Sequence, residues 1–170
     1  TSLVGEMCRE AGFDTAVGGN IGVPVLDLLR APEPDVYVLE LSSFQLETTM
    51  SLNARAAAVL NIVPDHMDRY ATLADYAAAK ARIFRGDGTM ILNADDPVVL
   101  AMGLPGRSTV RFGANPPASD IDYGLVAHGG ETWLARGARQ LLPASAVPLP
   151  GRHNLLNVLA AMALAETVHV

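Results

Sequence analysis

Two near-continuous apolar runs, Val36 to Leu41 (VYVLEL) and Ala56 to Val63 (AAAVLNIV), constrain the fold of this chain more than any other feature. Short apolar runs bounded by turn residues read as strands buried on both faces, and such strands occur in parallel sheets covered by helices on both sides. The surrounding pattern agrees. Ser2 to Ala11 carries Leu3, Val4, Met7 and Ala11 at helical spacing and is stopped by Gly12. Phe13 to Val17 predicts a strand, Gly18-Gly19-Asn20 a turn, and Ile21 to Leu29 a helix with Pro24 tolerated in its first turn. Leu73 to Phe84 predicts a helix and Thr89 to Leu92 a third strand. Asn93-Ala94-Asp95-Asp96-Pro97 supplies cap residues for a further helix. Strands alternating with helices imply βαβ crossovers and an α/β, doubly wound, mostly parallel sheet. From Ser108 the texture changes to strand-like pieces (Thr109 to Phe112, Asp122 to Ala127, Glu131 to Leu134) with Gly-rich turns, which predicts a small antiparallel β appendage. His153 to Val168 predicts a last, strongly apolar helix.

The chain of 170 residues has room for one domain with its own core, and half its residues are apolar. A net charge of −6 argues against broad nucleic-acid binding, which needs a basic footprint. It leaves anionic nucleotides open, because backbone N–H groups and a metal hold those. The single cysteine, Cys8, permits no internal disulfide, in keeping with a reducing compartment. No run is long and apolar enough to span a bilayer, and the start shows no signal-peptide pattern. The chain opens in mid-pattern with Thr-Ser-Leu-Val and no initiating Met, which suggests a fragment.

Ligands of open parallel sheets bind beyond the carboxyl ends of the strands, so candidate chemistry is sought there. Glu40 is an acid inside an apolar strand: a metal or phosphate-site carboxylate, or else a residue at an edge position or in a local ion pair. Asp65 and His66, after Pro64 closes the second strand, are expected at the same rim, as ligands for Mg2+ or Mn2+ or as a solvated loop. At about 100° per residue Lys80 falls in the apolar face of its helix, one turn from Tyr76 and from Phe84. Such a lysine snorkels, pairs with an acid or is modified, and a neutral amine reacts with CO2 to a carbamate. Ser42, Ser43 and Gln45 hold phosphate or sugar groups, or cap a helix. Asn20, among glycines that permit close backbone approach, faces a ligand or sits in a plain turn. His153, Asn154 and Asn157 open the last helix: the amides of Asn154 and Asn157 share a face and read a base edge, or Asn154 or His153 caps the helix.

In this order the stretches Gly-Gly-Asn-Ile-Gly (18 to 22), Leu-Glu-Leu-Ser-Ser-Phe-Gln-Leu-Glu (39 to 47), Asp-His-Met-Asp-Arg-Tyr (65 to 70), Ala-Ala-Lys-Ala-Arg-Ile-Phe (78 to 84), Asn-Ala-Asp-Asp (93 to 96) and Gly-Arg-His-Asn (151 to 154) resemble the Mur ligase family. The resemblance covers nearly the whole chain, 1–170, as the family's central, ATP-binding domain, with a P-loop-NTPase-like fold. Ser-Ser-Phe-Gln-Leu-Glu is similar to the D-glutamate-adding branch. The resemblance implies an ATP-dependent amide ligase of peptidoglycan synthesis, cytoplasmic, with no obligate protein partner. Its implied substrates are UDP-N-acetylmuramoyl-L-alanine, D-glutamate and ATP. It implies two Mg2+ sites, Mn2+ being possible, with Glu40, His66 and carbamylated Lys80 as ligands. By the same resemblance Asn20, Ser42, Ser43 and Gln45 face the UDP-sugar, and Asn154 and Asn157, beside His153, hold the adenine. The family's phosphate loop, Gly-x-x-Gly-Lys-Ser/Thr, is absent from the sequence. The first strand and the N-terminal UDP-binding and C-terminal domains are expected to be missing with it, and the fragment alone is expected to be inactive. Rival readings are another Mur ligase or a folylpolyglutamate synthase, a non-catalytic nucleotide or UDP-sugar module, and a metal-dependent phosphohydrolase built on Glu40, Asp65 and His66.

Overall fold

The computed structural model describes residues 1–170. Helix α1 (Ser2–Glu10) leads to strand β1 (Thr15–Gly19), the short α2 (Val25–Leu28), β2 (Val36–Glu40), α3 (Ser43–Thr48) and β3 (Ala56–Val59). Next come α4 (Leu73–Ala81), extended by a 3-10 turn over Arg82–Phe84, then β4 (Thr89–Asn93), α5 (Pro97–Leu100) and β5 (Thr109–Phe112). Strands β6 (Tyr123–His128), β7 (Glu131–Arg136) and β8 (Arg139–Pro143) precede the final helix α6 (Arg152–Glu166). No helix is long and apolar enough to cross a membrane.

Six strands form one sheet in the order β3-β4-β5-β6-β7-β8, and β1 and β2 form a separate parallel pair. Strands β3 to β6 run parallel, whereas β6-β7-β8 is an antiparallel meander. The α/β, mostly parallel architecture is therefore as expected, with one correction. Thr109–Phe112 pairs in parallel with β4 and belongs to the main sheet rather than to the appendage. The appendage is continuous with that sheet through the Phe112–Tyr123 pair and gains β8, which its weak alternation (RQLLP) did not announce.

Helices cover both faces. Met90 and Leu92 of β4 point to a core with Tyr76, Ala77 and Phe84 beneath α4, and Ile91 points to the opposite core under Leu159, Ala160 and Ala163 of α6. That split is the period of two of a strand buried on both sides. A smaller core of Val4, Cys8 and Ala161, with Val36 and Val38 against it, ties α1 and the β1–β2 pair to α6.

Both opening runs are corrected by the structure. All five residues of β2 are only partly buried, because its one strand partner is β1. The second run is a strand only to Val59. Beyond it the Asn93 amide donates to the Leu60 carbonyl at 2.7 Å, and Asp96 accepts the Ile62 N–H at 2.7 Å. Side chains thus replace the ladder, and the chain leaves the sheet toward Asp65.

Candidate active site

Glu40 is the last residue of β2, half-buried, and its Oε2 accepts a 2.9 Å hydrogen bond from the Thr1 hydroxyl. Beside it in register is Gly19, with φ at +114°. A Cβ there would stand 2.2 Å from the Glu40 carbonyl oxygen, so only glycine fits. At Gly18 a Cβ would meet the Val23 carbonyl oxygen at 2.2 Å. The glycines therefore serve close approach of backbone to backbone here. Gly18 and Gly19 complete β1 rather than forming the expected turn, and helix α2 is reduced to Val25–Leu28. Asn20 is exposed at the end of β1, its N–H donating to the Glu40 carbonyl at 2.7 Å.

Ser42 caps α3. Its hydroxyl accepts the Gln45 N–H, and Gln45 Oε1 in turn accepts the Ser42 N–H at 2.8 Å, a reciprocal capping box. The Gln45 NH2 group remains available as a donor. Ser43 is buried. At the other end of α3, Arg82 donates to the carbonyls of Leu46 and Glu47, and Arg85 to that of Thr49. Cations at a helix C-terminus satisfy its orphan carbonyls. Helix α3 thereby joins the strand that ends in Glu40 to the helix that carries Lys80.

The third stretch folds as a turn, Asp65 to Tyr70, in which the Arg69 and Tyr70 N–H groups both donate to the His66 carbonyl, at 2.9 and 3.1 Å. His66 adopts φ +53°, a left-handed conformation that costs a non-glycine residue on the order of 1–2 kcal/mol and persists only where its surroundings dictate it. Its exposed ring lies 4.8 Å from Phe44 and 6.5 Å, edge-on, from Tyr76, and Nε2 is 3.5 Å from Asp65 Oδ2. Lys80, half-buried, places Nζ 5.2 Å from the centroid of the same Tyr76 ring, a cation–π contact. The lysine and the histidine thus both meet one buried tyrosine. Glu47 accepts the Tyr70 hydroxyl at 2.5 Å and pairs with Arg69. The Arg69 bond, then the Tyr70 bond, hold the Glu47 carboxyl below the usual carboxylate range, while burial and the Glu47 bond push the Tyr70 phenol up.

No three His, Cys, Asp or Glu side chains converge as a metal cage. A closed, all-protein metal centre is thereby unsupported. Mg2+ is commonly held by only one or two protein carboxylates, with waters and substrate phosphates completing the shell. The donors present, a half-buried carboxylate at a strand end and an exposed imidazole, fit that open kind of site.

The start of α6 lies elsewhere. Gly151, at φ +101°, is its N-cap. The Asn154 amide donates to the Pro150 carbonyl at 2.7 Å, leaving its Oδ1 as an acceptor, and His153 and Asn157 are exposed. A cleft of ≈ 580 Å³ opens beside Pro150, Gly151 and Leu155, and neither Glu40, His66 nor Lys80 lines it. Sequence reasoning singled out the half-buried lysine but assigned no part to Tyr76, Phe44 or Glu47. The usable signal was spacing: Tyr76 lies four residues before Lys80, and Phe44 three before Glu47.

The fold defines a doubly wound α/β domain, with Glu40 at the end of a parallel strand and with His66 and Lys80 both packed on the Tyr76 ring. The chain belongs to the Mur ligase family, whose middle-domain model matches residues 1–165. The UDP-N-acetylmuramoylalanine–D-glutamate ligase of Nitrosococcus oceani is 58% identical over 168 residues, 99% of this chain and 37% of that protein. Among solved structures, a pseudomurein peptide ligase type C from Methanothermus fervidus aligns with a TM-score of 0.71 at 17% identity, over 98% of this chain and 43% of that one. The MurF ligase of Thermotoga maritima in complex with ADP aligns at 0.67, also with 17% identity and the same shares. The chain spans about 37% of the length of the curated relative it matches.

Proposed function

We propose that this chain is the nucleotide-handling middle domain of a cytoplasmic ligase that joins D-glutamate to UDP-N-acetylmuramoyl-L-alanine, with ATP converted to ADP and phosphate. The observation that carries the reading is the 58% identity, across 99% of the chain, to a protein named for that reaction. The packing of His66 and Lys80 on Tyr76 supports it, since it gathers two of the three proposed metal-site groups around one ring.

In this reading the substrate carboxylate attacks the γ-phosphorus of ATP, ADP leaves, and an acyl phosphate forms. The D-glutamate amine then attacks that carbonyl, phosphate leaves and the amine proton is lost. Mg2+, or Mn2+ in its place, when bound supplies positive charge beside the crowded phosphate oxygens. Glu40, His66 and Lys80 as its carbamate would hold the metal. Carbamylation would turn a half-buried cation into an anion beside a cation. Asn20 and the free amide donors of Gln45 face the UDP-sugar, with Ser42 and Ser43 setting the turn that presents them. Asn154 Oδ1 accepts from the adenine amine, Asn157 supplies a second amide, and His153 flanks them. The phosphate loop and the domains that bind UDP and the incoming amino acid belong to the rest of a longer protein. The unpaired edges of β2 and β3 leave room for a further strand.

The test is ADP release by the full-length protein given ATP, Mg2+ and UDP-N-acetylmuramoyl-L-alanine, with and without D-glutamate. Release that needs D-glutamate and ignores L-glutamate is expected, and the 170 residues alone are expected to turn over nothing. Phosphate release from simple phosphoesters with no acceptor amine would replace the ligase by a phosphohydrolase.

A further inference from the structure

Glu47 has no place in the reaction described above, yet it is tied down more firmly than a helix-surface acid requires. One carboxylate oxygen accepts the Tyr70 hydroxyl at 2.5 Å and the other pairs with Arg69. Those two residues are also the ones whose N–H groups close the turn onto the His66 carbonyl. One helical turn earlier on α3, Phe44 lies under the Arg69 guanidinium at 4.9 Å, parallel to Tyr70 at 6.3 Å and against the His66 ring at 4.8 Å. Residues three apart share a helix face. Phe44 and Glu47 therefore grip a single turn together: Phe44 meets the imidazole as well as Arg69 and Tyr70, and Glu47 bonds the two residues that complete the turn. The left-handed backbone of His66 needs such external support.

We propose that Glu47 is a positioning residue, which fixes the orientation of His66 by clamping Arg69 and Tyr70 to α3. The clamp runs through two charge-assisted hydrogen bonds to one carboxylate. Because α3 begins three residues after Glu40, and its end is held by Arg82 and Arg85, the clamp also sets the imidazole relative to the carboxylate and the lysine. The consequence for metal affinity rests on the proposed role of His66 as a metal-site group. The orientation itself does not.

The experiment uses the full-length protein and its Glu47→Ala, Glu47→Gln and Tyr70→Phe variants. Melting temperature is followed beside the imidazole NMR resonances, with His66 assigned by a His66→Asn variant. In Glu47→Ala the His66 signal is expected to shift or broaden while those of His128, His153 and His169 stay in place. The Mg2+ concentration for half-maximal turnover should rise about ten- to a hundredfold, the range typical of losing an outer-sphere partner. KM for D-glutamate should change by less than about twofold if only the metal side is disturbed. Glu47→Gln and Tyr70→Phe each keep part of the clamp, so intermediate shifts are expected, and they carry the test if Glu47→Ala does not fold. An unmoved His66 signal in a folded Glu47 variant overturns the proposal, whatever happens to melting. If the wild type shows no D-glutamate-dependent turnover, the functional reading fails, and the His66 signal alone decides the role of Glu47.

Discussion

Tyr123 carries its hydroxyl from the first strand of the meander to Glu166, the last residue of α6, where Arg136 of β7 also pairs with the carboxylate at 2.8 Å. The ring is buried, with 5% of its surface exposed. Desolvation foremost, then the bond to Glu166, pushes the phenol well above its ordinary range. A raised folded pKa means that the neutral phenol is preferred in the native state. The stability this contributes is complete below the unfolded value of about 10 and is lost as pH climbs through the interval above it. Tyr123→Phe removes both the bond and the titration. The variant should be less stable by about 1–2 kcal/mol at neutral pH, and the gap from wild type should close as pH rises past about 10. Urea midpoints on the 170-residue chain at two pH values measure this, and a gap that stays constant with pH would deny the buried phenol its part. Only half of this was readable beforehand. Tyr123 falls within a predicted strand, but its partner lies 43 residues on, and no local pattern encodes such a pairing.

At the scale of elements the deciding piece is the segment from Leu60 to His66. Asp96 Oδ1 caps α5 by accepting the N–H groups of Val98 and Val99, and its Oδ2 accepts the Ile62 N–H. The cap was legible in Asn-Ala-Asp-Asp-Pro, because a short acid before proline suits that position. The second bond was not, since it crosses 34 residues. For the same reason the apolar letters of Leu60, Ile62 and Val63 extended the predicted strand past its true end at Val59. Helix α3 also escaped the sequence reading as an element, being six residues long, although its cap Ser42 was weighed as one. Lys80, by contrast, stood out from periodicity alone and is found on the buried Tyr76 ring. Asp96→Ala removes a cap worth about 1 kcal/mol and orphans a partly buried N–H at about 1–3 kcal/mol. A loss of roughly 2–4 kcal/mol is expected, with faster amide exchange at Ile62 and no change at Leu159 in the opposite core. A loss below about 0.5 kcal/mol, with Ile62 exchange unaltered, would mean that the segment leading to His66 is held by other contacts.

In the whole molecule, strand direction was legible but strand neighbourhood was not. Apolar runs separated by helices announce parallel strands, and they do not say that β2 and β3 fail to pair. The β1–β2 pair is therefore attached to the six-stranded sheet through packing, chiefly the Val4–Cys8–Ala161 core between α1 and α6, together with the arginine bonds from Arg82 and Arg85 to α3. Regions with few buried apolar contacts open below the global free energy, and β2 is half-buried along its full length while Met90, Ile91 and Leu92 of β4 are almost wholly enclosed. Native-state amide exchange on the 170-residue chain should consequently find two levels of protection. Amides shared between β1 and β2 are expected to exchange at least about a hundredfold faster than those of Ile91 and Leu92, a difference of about 2.7 kcal/mol in opening free energy. Uniform protection across both sheets would show that the packing through α1 and the arginine bonds to α3 couple them into one cooperative unit. A difference confined to β1–β2 would place Glu40 on a part of the fold that moves separately from the sheet beneath Lys80.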